Sequence, residues 1–135
     1  MTEISKPYKV MLIINIVVAL IYAIPYMFMI GTWAPFIEYT YSTPWYAQVF
    51  GTLLFVMAVW LLRAILQKKS FEDISYLMEF IFAIMFGMII YFALELLFVS
   101  LGPVALIYAW VGLGVTIALF VSNMVFYFVE TARTK

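Results

Sequence analysis

Residues 76–128 read YLMEFIFAIMFGMIIYFALELLFVSLGPVALIYAWVGLGVTIALFVSNMVFYF, and the only charged residues among them are Glu79 and Glu95. The stretch divides at Ser100, Gly102 and Pro103 into two apolar runs, about 76–98 and 103–128. A helix rises 1.5 Å per residue, so about 20 apolar residues cross the ~30 Å hydrocarbon core of a bilayer. Each run is long enough, and a turn this tight forces the two helices to be antiparallel neighbours. Upstream, two more apolar runs cover about 10–31 and 45–66. The fold expected is all-α: a polytopic integral membrane protein forming one antiparallel four-transmembrane-helix bundle over 1–135.

Composition points the same way. Hydrophobic residues make up 68% of the chain and charged residues 10%, whereas a water-soluble domain is about half apolar and a quarter charged. The net charge is zero and no basic cluster is dense, so nucleic acid is not an expected partner. The bilayer is, together with other membrane subunits or further copies of the chain. Cys and His are both absent, which excludes disulfides, thiolate or imidazole metal sites and His-ligated haem. No cofactor, metal site or catalytic residue is expected, because no HExxH, GxSxG, CxxC or phosphate-binding glycine motif occurs.

Lys6 and Lys9 precede the first run, Arg63, Lys68 and Lys69 lie at the second-to-third connection, and Arg133 and Lys135 follow the fourth. The other two connections carry no Lys or Arg. Basic residues are retained on the cytoplasmic side during insertion, so a multi-pass cell-membrane protein with both termini cytoplasmic is expected. The first run is longer than a signal-peptide core and no small-residue cleavage site follows it, so it reads as an uncleaved helix.

Pro7 suits the start of the first helix, Pro25 should kink it, and Gly31 and Pro35 should end it. Trp33 to Tyr46 reads as an aromatic loop lying on the outer membrane surface, with a binding loop as the alternative. The second helix should run from Pro44 to Gln67. Ser70 reads as the N-cap of the third, with Asp73 near the positive end of its dipole. The second and third helices, like the third and fourth, should pack as neighbours.

Polar side chains in lipid are costly and invite partners. Asn15 and Asn123 each lie roughly 7–9 Å below the inner interface at 1.5 Å per residue, and could bond across a first-to-fourth helix contact or touch a ligand. Arg63 and Glu79 lie at equal depth on either side of a short turn, which predicts a salt bridge. Arg63 snorkelling to phosphates is the alternative. Glu95 has no basic residue on its side of the membrane. Gln48 and the loop tyrosines lie at similar depth, so Glu95 with Gln48 is the candidate functional polar site. The other reading is a carboxyl at the interface, neutral or hydrated. Glu79 and Glu95 point ~160° apart on one helix and cannot share a site. Ala105, Ala109, Gly112, Thr116 and Asn123 mark one packing face of the fourth helix, and the pairs Ala47–Gly51 and Ala83–Gly87 mark others.

The stretch Pro44-Trp45-Tyr46-Ala47-Gln48-Val49-Phe50-Gly51-Thr52-Leu53-Leu54, within a four-span layout, resembles small archaeal and bacterial membrane proteins of the DoxX-like type. Gln48 stands where a basic residue is commoner in that family. The resemblance implies a four-helix fold more than a function: many members have no assigned activity, and some accompany respiratory oxidoreductases. It carries no active-site residues. Small multidrug exporters also have four helices, but their mid-membrane carboxylate in the first helix has no counterpart here. The function expected is a non-catalytic accessory or structural subunit of a larger membrane complex. The alternative is a binder or carrier of a small lipophilic molecule in an outer-leaflet pocket near Glu95.

Overall fold

The computed structural model describes residues 3–36 and 44–134, without the side chains of residues 44–47. Five helices run through them: α1 (Lys6–Phe28), α2 (Ile30–Phe36), α3 (Pro44–Leu66), α4 (Phe71–Phe98) and α5 (Pro103–Thr134). Four of these are long and apolar enough to cross a membrane, with α2 the exception. The chain is therefore an all-α, multi-pass membrane protein.

Local chemistry sets the helix ends. Ser5 caps α1, its hydroxyl accepting from the Tyr8 amide at 3.3 Å, so α1 starts at Lys6 rather than after Pro7. Three residues past Pro25 the helix stops, with the Met29 amide bonded to the Pro25 carbonyl. Gly31 and Pro35 do not end α1; they lie inside α2, which draws Trp33 to Phe36 out of the expected loop. The rest of that loop, 37–43, lies outside the described residues. At the other end of α3, the Lys69 amide reaches the Ala64 carbonyl and the Lys68 amide the Ile65 carbonyl. Lys68 sits there at φ 50°. This is the left-handed helix stop that glycine usually provides, here formed by a lysine. Ser70 and Asp73 then make the reciprocal capping box that opens α4. At the far turn, the Gly102 carbonyl accepts from the Leu106 amide and Pro103 begins α5.

Packing departs from chain order. α1 lies against α3 over most of its length, α4 against α5, and α1 meets α5. α3 and α4, expected to be close neighbours, make much less backbone contact with each other than with α1 and α5. Small residues explain why. Ala23 and Tyr26 on α1 meet α3 at Gly51, where a Cβ would lie 2.8 Å from Tyr26 Cβ and 3.0 Å from the Ala23 carbonyl oxygen, and Ala19 and Ala58 are buried on the same two helices. Backbones this close gain dispersion contacts that lipid cannot match. On α5 the expected face is buried in full: Ala105, Ala109, Gly112, Thr116 and Asn123. The pair Ala83–Gly87 is a correction. Both residues are exposed, and a Cβ on Gly87 would meet nothing within 4 Å.

At the end of the bundle that carries the described basic residues, the chain closes on itself. Glu3 forms an antiparallel bridge to Ser70, and Ile4 is buried. Arg133 Nη2 donates to the Glu3 carbonyl, and Lys9 Nζ lies 2.6 Å from Glu3 Oε1. The hydrogen bond and charge of Lys9 hold the Glu3 carboxyl below its ordinary value, so this contact persists above the usual carboxylate range and is lost as pH falls through the lowered one.

Candidate functional site

The two asparagines meet. Asn15 Nδ2 donates to Asn123 Oδ1 at 2.7 Å and Asn123 Nδ2 to Asn15 Oδ1 at 2.9 Å. The remaining N–H groups go to carbonyls one turn back, Asn15 to Met11 at 3.0 Å and Asn123 to Leu119 at 2.7 Å. Both residues are buried. With every amide hydrogen placed, the pair joins α1 to α5 and keeps no donor for a ligand. Replacing Asn123 by Leu is expected to cost ~1 kcal/mol, by stranding Asn15. The Asn15→Leu/Asn123→Leu double variant should lose less than the two single changes summed. Reversible unfolding in micelles measures this, and strict additivity would show the two amides to be independent.

Arg63 and Glu79 do not pair. Among the described residues the ion pairs are Lys9–Glu3 and Arg133–Glu130. Glu79 instead accepts a 3.0 Å hydrogen bond from the Tyr127 hydroxyl, which joins α4 to α5. The reason is azimuth. α3 buries Leu54, Met57, Ala58, Leu61 and Ala64, and Arg63 lies ~100° from Ala64 around the helix, among the exposed Leu62 and Leu66.

Glu95 is buried, and the Tyr91 hydroxyl, one turn earlier on α4, donates to its Oε1. Glu95 also takes part in a further interaction. No hydrogen bond joins it to Gln48, whose side chain is exposed on the first turns of α3. The Gln48 carbonyl accepts from Thr52 Oγ1 at 2.8 Å. The loop tyrosines Tyr39 and Tyr41 lie outside the described residues, as does the side chain of Tyr46. Tyr91 is the partner that depth matching overlooked; its i, i+4 spacing to Glu95 was the available signal.

A cavity of about 40 Å³ lies where all four spanning helices meet. Asn15 and Tyr22 of α1, Leu54 and Met57 of α3, Met85 and Met88 of α4, and Thr116 of α5 are among its walls, and Glu95 is not. Pockets that enclose organic ligands are nearer 300–1,000 Å³, so this space suits a water-sized guest. Among the described residues, no three His, Cys, Asp or Glu gather as a metal site.

Two buried polar residues were missed from the sequence, Tyr8 and Glu130, which are 0% and 1% exposed. Glu130 lies beyond the end that hydropathy gives to the fourth span, yet α5 carries it back against α1. Its Oε2 accepts from Arg133 Nη2 at 2.8 Å and Nε at 3.2 Å. The i, i+3 spacing of Glu130 and Arg133 was the legible sign.

Comparison with protein-family models, with curated proteins and with solved structures found no match.

Proposed function

We propose that the chain is a non-catalytic accessory subunit of a larger membrane complex, held in the cell membrane with both termini cytoplasmic. One observation carries this reading: the Ala83–Gly87 notch of α4 faces out of the bundle. Small residues four apart let a second helix approach closely, and among the described residues no helix of the same chain uses them. Exposed Phe80, Phe86 and Ile90 border the notch and offer the ridges a partner helix would pack between. A comparable opening lies at Gly114 and Ala118 on α5. The resemblance to DoxX-like proteins supports an oxidoreductase as the host complex. The clustering of Lys6, Lys9, Arg63, Lys68, Lys69 and Arg133 at one end of the bundle supports the orientation.

Gentle detergent extraction followed by native mass measurement tests the assignment. The wild-type chain is expected to travel at a mass above that of one copy. Gly87→Leu, which fills the notch from outside, should release it as a folded single chain. A wild-type protein recovered only as a free single chain would end the proposal.

A further inference from the structure

The cavity where the four spanning helices meet has both the depth and the chemistry of the hydrocarbon core. Val18, Leu54, Met85 and Thr116, one from each helix, line it, and all lie near the middle of their helices. Its wall is almost entirely apolar. The polar side chains beside it turn to each other or to the backbone. Asn15 places both amide hydrogens, on Asn123 and on the Met11 carbonyl. The Thr116 hydroxyl donates to the Gly112 carbonyl at 2.7 Å. That leaves Tyr22, whose hydroxyl alone falls short of the two to four partners that hold a buried water. The space itself is about 40 Å³, above the ~10–15 Å³ that one water needs.

We propose that this cavity is dry and binds one small nonpolar gas molecule, of dioxygen's size, taken up from the bilayer. Cavities whose walls offer no polar partners stay free of water and admit small apolar guests such as xenon. Met57, Met85 and Met88 suit such a guest. Their unbranched chains adjust to its shape, and polarisable sulfur gains dispersion contact with it. Half-buried Val18, Ile84 and Val115 in the wall leave the space unsealed, so a molecule dissolved in lipid enters without crossing water. A cation would find no counter-charge, since no carboxylate lines the cavity.

Xenon is the probe, applied under pressure to the full chain in lipid nanodiscs with ¹³C-methyl methionine. The methyl shifts of Met57, Met85 and Met88 are expected to saturate as xenon pressure rises. Met29, which is 52% exposed, should shift only in proportion to the xenon dissolved in lipid. Ala19→Val, which adds carbon at the cavity wall, should reduce the three saturating curves to the linear dependence of Met29. Should that variant fail to fold, Val115→Leu fills the same space from α5 and is read in its place. A linear response at all four methyls in the wild type overturns the site, as when a lipid chain end already fills it. Saturation that survives the filling variant overturns it too, as does a bound-water cross-peak at the three methyls.

Discussion

Gly51→Ala is expected to destabilise the protein by about 2–3 kcal/mol, the upper part of the range for overpacking a well-filled contact. The added methyl would stand 2.8 Å from Tyr26 Cβ, 3.0 Å from the Ala23 carbonyl oxygen and 3.0 Å from the Met27 amide nitrogen. None of these is the loose end of a side chain. Two are backbone atoms of α1 and the third is attached to it, so relief requires the helices to separate. Separation would weaken the longest interhelical contact in the bundle. At Gly112 the neighbour is the Phe92 ring, 2.5 Å away at its nearest atom. That ring is itself buried against the α4–α5 seam, so Gly112→Ala should also destabilise, to the extent that the ring cannot turn aside. Gly87→Ala and Gly114→Ala are the controls. In the isolated single chain, with no partner helix in either notch, each faces open space and should be neutral, or gain up to ~1 kcal/mol from the lower backbone entropy of alanine in a helix. Reversible unfolding of the four variants in one detergent ranks them. Gly51→Ala as stable as Gly87→Ala would mean that α1 and α3 do not approach this closely.

Depth was legible in the sequence and azimuth mostly was not. Apolar run lengths and the 1.5 Å rise place a residue along the membrane normal, which is why Asn15 was matched with Asn123 and why the spans and both tight turns fell near their places. The same arithmetic matched Arg63 with Glu79 and failed, because equal depth leaves the direction around each helix open. In water an amphipathic stripe would supply that direction. In lipid the outside of the bundle is as apolar as the inside, so exposed Val56, Val59 and Leu62 on α3 look no different from buried Leu54 and Leu61. Small and polar residues are the remaining guide. They identified the α5 face from Ala105 to Asn123, where a buried asparagine anchors the row. They misled at Ala83 and Gly87, where the row points away from the chain's own helices. Glu130 escaped because hydropathy ends a span where charge begins, while the helix itself continues to Thr134.

Arg133→Ala is expected to cost about 2–3 kcal/mol. Loss of one partner from a fully buried ion pair costs ~3–5 kcal/mol, since the other charge is left in a dry site, and the partial exposure of Arg133 reduces that figure here. Glu130 is 1% exposed and, among the described residues, keeps no other cation within salt-bridge distance. The guanidinium does two jobs. It holds Glu130 Oε2 through Nε and Nη2, and through Nη2 it also donates to the Glu3 carbonyl. Removing it therefore strands a carboxylate on α5 and frees the segment that bridges to Ser70. The two contributions separate by comparing variants. Glu130→Gln with Arg133→Ala removes the stranded charge while leaving the Glu3 contact broken, so the double variant should be more stable than Arg133→Ala alone. The stability it still lacks relative to Glu130→Gln reports the loss of the Glu3 bond. Thermal unfolding of the three variants, with limited proteolysis at residues 3–5 to follow the terminal segment, distinguishes these effects. Equal stability of Arg133→Ala and wild type would place Glu130 in contact with water and remove it from the buried seam.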